Sequence, residues 1–290
     1  MKKSRLWLPI FMAVSIILWV ITLILTPGDP IALYGDPEVF NAHLPFLSYG
    51  ATKILCPIIG VAMVLLFGAH AWITMGKKPA LSMIGLALFI AFFFEEIGIR
   101  TGWVFGPYFH CSIEGPKLDT VPLFVVCVWV ACIYIGWSLS NLILDGTPTQ
   151  TDFKTSRLFL GALLGAMITT TMDLGADPFC VSNGWWVWYK GGVYAGVPLH
   201  NYVGWMALGI LTILVHGFDF RQQQILPLNS LAGWKKIATV LPLCAYGFLW
   251  VVLTLVNPEG FVGLVVFFAM GIPFVIACTK WVRWYKAAAA

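Results

Sequence analysis

The sequence predicts an all-α protein, a polytopic integral membrane bundle of about eight transmembrane helices with its N- and C-termini on the cytoplasmic side. Three observations carry this expectation. Of 290 residues, 60% are hydrophobic and only 10% are charged, against about 25% charged in a soluble globular domain. The apolar residues gather in runs near the length a helix needs to cross a bilayer, well beyond that of a spanning strand. The basic residues fall at alternate breaks between those runs, which places most of them on one side.

The first run, 6–25, follows Lys2, Lys3 and Arg5. It is too long for a signal-peptide core and has no small-x-small cleavage site, so it reads as a retained span. Further runs cover roughly 48–75, 80–99, 120–144, 157–175, 201–218, 237–256 and 261–282. With the N-terminus inside, thirteen Lys and Arg fall on the inner side, and the outer side holds Lys53, Arg100, Lys117 and Lys190. This asymmetry supports eight spans in a cytoplasmic membrane. The breaks are short and no repeat or soluble insert appears, so 1–286 reads as a single membrane domain. The tail 287–290 reads as an artificial remnant.

The breaks at 100–119 and 176–200 contain the runs Gly102-Trp103-Val104-Phe105-Gly106-Pro107-Tyr108 and Trp185-Trp186-Val187-Trp188-Tyr189. Such rings form an interfacial belt by default; the alternative is the mouth of a lipid-sized cavity. Most of the seven cysteines lie inside apolar runs as small hydrophobes. Cys111 and Cys180 fall in outer breaks, which leaves a disulfide between them open.

The chemistry-bearing residues begin at Glu95 and Glu96, acids at the end of an apolar run. A charge in mid-bilayer costs about 2.5–3.5 kcal/mol on insertion scales. Neighbours on a helix point about 100° apart, so the two acids cannot share a face. Glu96 lies four residues before Arg100, the favourable order for an ion pair. Glu95 has no such helical partner, and burial of a lone carboxyl favours its protonated form. That makes Glu95 a candidate general acid and Glu96–Arg100 a structural pair; solvation of both acids at the membrane edge is the plain alternative.

A second cluster contains Asp173 and Asp177. Asp173 ends the fifth span at the depth of Glu95, where the two could face one cavity, or Asp173 could merely bond a helix end. Asp177 precedes Pro178 and is expected to cap or order the following loop. The D-x-x-x-D spacing also suggests a magnesium–diphosphate site, but Gly175 and Pro178 are expected to interrupt the helix that would align the pair. The histidines His43, His70, His110, His200 and His216 show no ligand spacing, so no metal is expected. No phosphate loop, no G-x-S-x-G and no basic nucleic-acid surface is present.

The pattern Glu95-x-x-Gly98-x-x-Thr101-Gly102-Trp103-x-x-Gly106-x-Tyr108, followed by Gly115-Pro116 and Val121-Pro122-Leu123, resembles the CruF-type carotenoid hydratase family. So does a second block: Asp173-Leu174, Asp177-Pro178, Trp186-x-Trp188, Gly192-x-Tyr194-x-Gly196-Val197-Pro198 and Asn201-x-x-Gly204-Trp205. Together they cover 92–205. Val104 stands where proline is expected and His110 where an aromatic is usual.

The resemblance implies a membrane enzyme that adds water to the terminal double bond of an acyclic carotenoid, such as lycopene or a bacterioruberin precursor, without a cofactor. An acid from the set Glu95, Asp173, Glu96 and Asp177 would protonate the alkene and a partner carboxylate would hold the water. Trp103, Tyr108, Trp186 and Trp188 would stabilise the tertiary cation. Tyr194, Asn201 and Trp205 are carried over with them as substrate-binding positions. Two rivals remain at this stage: a carotenoid or terpene cyclase using the same first step, and a non-enzymatic carotenoid- or lipid-binding protein.

Overall fold

A computed structural model describes residues 7–25, 49–111, 115–221, 231 and 233–287. Lys2, Lys3, Arg5, His43 and 288–290 lie outside them. Among the described residues the helices are α1 (Trp7–Leu25), α2 (Tyr49–Met75), α3 (Lys77–Thr101), α4 (Leu123–Asp145), α5 (Thr155–Ser182), α6 (Leu199–Phe220), α7 (Trp234–Ala238), α8 (Leu241–Val256) and α9 (Gly260–Ala287). Among the described residues seven stretches are long and apolar enough to cross a membrane, with α7 and α8 forming one. With the apolar α1 they reproduce the eight expected runs.

The main correction falls on α5. It does not stop near residue 175 but runs through Pro178 to Ser182, so Asp177 lies within the helix instead of capping a loop. A proline inside a helix has no N–H for the carbonyl four residues back, here that of Leu174. The Tyr194 hydroxyl donates to that carbonyl at 3.0 Å, and Asn257 Nδ2 donates to the next one, Gly175, at 3.2 Å. Burial pushes the Tyr194 phenol up to about 12, so it keeps the proton this bond requires. Helix continuity through Pro178 is therefore completed by side chains from elsewhere in the chain.

The helix α4 is central. Trp129, Val130, Ile133, Tyr134, Ile135, Trp137 and Leu139 are all buried, whereas Ile54 and Leu65 of α2 and Leu264 and Phe268 of α9 point outward. Packing without a hydrophobic drive between helices favours small residues at the contact. At Gly136 a Cβ would come within 2.2 Å of Thr169 Oγ1 and 2.5 Å of the Gly165 carbonyl, which brings α4 and α5 together. A Cβ at Gly204 would lie 2.4 Å from the Val104 carbonyl, so α6 can seat the loop after α3 only through glycine.

At the outer end, the side away from the basic residues, the breaks form four short strands. These are β1 (Tyr108–His110), β2 (Lys117–Leu118), β3 (Val121–Pro122) and β4 (Trp186–Trp188). β1 pairs antiparallel with β4, placing Tyr108 opposite Trp188 and His110 opposite Trp186. Because strand side chains alternate, these four rings share one face of the ribbon. The turn between β2 and β3 sets Asp119 against Arg100 Nη2 at 2.5 Å and Thr120 Oγ1 against Glu96 Oε2 at 2.7 Å. Arg100 also pairs with Glu96 itself, so the expected ion pair exists and fastens the end of α3 to the outer loop. Cys111 and Cys180 sit near each other in a small cluster with Cys56 and Trp185, as thiols.

Arg100→Met leaves Glu96 fully buried without its cation and is expected to destabilise the protein by about 3–5 kcal/mol. Thermal melts in detergent should show Glu96→Gln/Arg100→Met to be more stable than Arg100→Met. A single variant as stable as the parent would count against the clamp.

Candidate active site

The outer ends of α3, α4, α5 and α6 and the β1–β4 ribbon enclose a cavity of about 250 Å³. Its wall is almost wholly aromatic and aliphatic. The polar groups on it include Glu95, Tyr108, His110, Asp173, Asp177 and Asn201.

Glu95 is buried and is not the solitary carboxyl that helix spacing suggests. Tyr108 donates its hydroxyl to Oε2, Trp129 Nε1 donates to Oε1 at 2.7 Å, and His110 Nε2 stands 3.8 Å from Oε2. These partners lie 13 to 34 residues along the chain, beyond the reach of an i, i+4 rule. Burial, reinforced by the Glu95 charge, pushes the Tyr108 phenol well above its usual range, so it stays a donor. Each oxygen of Glu95 is thus met by a donor.

The other acids come from α5. Because α5 continues past Pro178, Asp173 and Asp177 lie one turn apart on one face. Asn201 Nδ2 bridges them, donating to Asp173 Oδ2 at 2.8 Å and to Asp177 Oδ2 at 2.5 Å. Trp186 Nε1 donates to Asp177 Oδ1 at 3.1 Å. Asp173 Oδ1 is buried and meets no hydrogen-bond donor among the described residues. The helix break invoked against a magnesium site is therefore absent, yet an ion bridging this pair would have to displace the Asn201 amide. No group of three or more His, Cys, Asp or Glu converges as a metal site among the described residues.

The structure thus brings Glu95, Asp173, Asp177, Tyr108, Trp186, Trp188, Asn201 and Trp205 to one cavity. Three other predicted residues stand apart. Trp103 is 77% exposed, because its loop turns it away from the ribbon. Tyr194 serves the Pro178 break and packs against Tyr202 and Phe261. Glu96 is taken up by Arg100 and Thr120. Trp129 lies outside the expected set, and Phe105, from the aromatic run 102–108, joins it at the cavity. Trp129 lies 3.8 Å, centroid to centroid, from Trp205, and Phe105 stacks on it at 6.1 Å. Inside an unbroken apolar run, nothing marks Trp129 as a carboxylate donor. Trp188 Nε1 ties the ribbon to the Phe105 carbonyl at 2.8 Å. His70 is engaged elsewhere by Tyr134 and the Ala238 carbonyl.

Residues 52–278 match the family described as carotenoid biosynthesis protein. Bisanhydrobacterioruberin hydratase of Haloarcula japonica is 26% identical over 190 residues, which is 65% of this chain and 58% of that relative. The match thus spans less than two thirds of the relative's length. No solved structure matches.

Tyr194→Phe strands the Leu174 carbonyl and is expected to cost about 1–3 kcal/mol of stability. Pro178→Ala restores an amide for that carbonyl, so the cost should largely vanish when both changes are combined. Melting temperatures of the four chains test this; an equal cost in both backgrounds would sink the account.

Proposed function

The chain belongs to the carotenoid biosynthesis protein family, and we propose that this multi-pass membrane protein is a hydratase adding water across the terminal double bond of an acyclic carotenoid. The observation that carries the reading is the unlike state of two acids in one aromatic cavity. Glu95 has donors on both oxygens, whereas Asp173 keeps one buried oxygen without a partner. Carboxyls one turn apart in an apolar site repel as anions, so a proton is retained between Asp173 and Asp177. Asp173 is then the acid, and Glu95, first in line from helix spacing, becomes the stabilising anion and base.

The Asp173 proton goes to the less substituted carbon of the terminal alkene, and the π electrons form that C–H bond. The adjacent carbon becomes a tertiary cation, faced by Trp129, Trp186 and Trp205 and by the Glu95 carboxylate. A water oxygen bonds to the cation and gives a proton to Glu95. Return of that proton to Asp173 closes the cycle, with one water added and a tertiary alcohol formed. No redox cofactor enters.

Substrate scale fits the cavity. Sites enclosing a whole drug-sized ligand run about 300–1,000 Å³, so about 250 Å³ suits one end group with the polyene left in the bilayer. Lycopene-type and bacterioruberin-precursor chains meet that description. The unit is a single membrane domain over 1–286 with both termini cytoplasmic.

Expression in a lycopene-producing bacterium, with mass spectrometry of the pigments, tests the reading. The parent chain should yield product heavier by one water per reacted end. Asp173→Asn and Glu95→Gln should each lower its formation by about 10²–10⁴-fold. Full activity in both variants would overturn the assignment. A new pigment of unchanged mass would indicate a cyclase, and bound but unaltered pigment a binding protein.

A further inference from the structure

At the inner end of the bundle, where the basic residues gather, α2, α3 and α7 surround an open hollow of about 540 Å³. Its lining includes Trp72 of α2, Gly76 and Lys77 where α3 begins, and Trp234 and Lys235 of α7. Gly76 takes a φ of 91° between α2 and α3, and Lys77 folds back over the Trp72 ring at 5.5 Å. Of the two adjacent lysines on α7, Lys236 is buried and meets the Tyr285 ring at 4.5 Å, whereas Lys235 is exposed and faces the hollow. The chain contains no Asp or Glu between Glu38 and Glu95, and none between Asp219 and Glu259. Among the described residues no carboxylate pairs with Lys77 or Lys235. Two positive charges therefore share one hollow without a counter-charge.

An outward-facing stripe of α2 leads away from this hollow. Ile54, Ile58, Val61, Leu65 and Trp72 are each more than half exposed, and they fall within an arc of about 60° around the helix. From Trp72 to Val61 the helix rises about 16 Å, close to half of a hydrocarbon core about 30 Å thick. An acyl chain of one leaflet can thus lie along the stripe while its headgroup reaches the two lysines. We propose that the hollow is a binding site for the phosphate headgroup of an anionic phospholipid of the inner leaflet. Basic pockets between helices on the inner side suit such headgroups, and exposed indoles settle at headgroup level. The uncompensated lysines repel the quaternary ammonium of a choline headgroup, and Lys77 already occupies the Trp72 face that would attract it. The apolar stripe that ends at the hollow favours a membrane lipid over phosphate from solution. None of these residues lines the catalytic cavity, so the inference is independent of the proposed reaction.

Native mass spectrometry of the full chain released from nanodiscs of equal phosphatidylglycerol and phosphatidylcholine tests it. In its most tightly held lipid the parent should prefer phosphatidylglycerol by about tenfold. Lys77→Gln/Lys235→Gln should bring that preference toward unity. Arg283→Gln/Lys286→Gln, which removes the same charge from the same end of the bundle on α9, should keep it. No preference in the parent overturns the proposal, whether or not either variant folds. So does a preference that survives Lys77→Gln/Lys235→Gln, or one that falls equally in both variants, which would mean surface charge without a site. Millimolar inorganic phosphate should leave the bound lipid in place; its displacement would mark a site for free phosphate and overturn the assignment to a lipid.

Discussion

In the hydrocarbon layer no bulk water completes a hydrogen bond, so a backbone carbonyl there needs a partner from within the protein. The outer end of α5 depends on that condition. Pro178 deprives the Leu174 carbonyl of its helical amide, and Tyr194 replaces it. Asn257 does the same service for Gly175. With both carbonyls answered the helix runs on, and Asp177 follows Asp173 around one face. Asn201 can then reach both carboxyls with a single amide. Were the helix to end at Gly175, Asp177 would leave the cavity and the geometry around Asp173 would be lost.

The same rule sorts the four acids into different tasks. Glu96 meets Arg100 and the β2–β3 turn, and becomes a fastening between α3 and the outer loop. Glu95, one residue earlier and about 100° around the helix, meets the ribbon and α4 instead. Its partners Tyr108 and Trp129 also form part of the cavity wall, so the residues that hold the carboxylate also shape the space for a substrate. Asp173 and Asp177 share Asn201, and only Asp173 keeps an oxygen turned to no donor. In the proposed reaction that difference separates acid from base.

The ribbon between β1 and β4 explains why two distant loops carry so many rings. Pairing Tyr108 with Trp188 and His110 with Trp186 places one face of the ribbon over the cavity and ties the break after α3 to the break after α5. Trp103, in the same aromatic run, is outside that pairing and faces away. A cluster of tryptophans in sequence therefore divides into rings that close a site and a ring that meets the surroundings.

The sequence by itself determined the membrane class, the eight apolar runs, the Glu96–Arg100 pair and the level at which the acids meet. Each of these depends on composition, run length or helical spacing, which are local quantities. Tertiary structure decided where α5 ends, which acid is partnered and which rings line the cavity. Tyr194 reaches Leu174, and Trp129 reaches Glu95, across 20 and 34 residues. Such contacts follow from how the helices pack, and a proline read alone signals a break that a distant hydroxyl can repair.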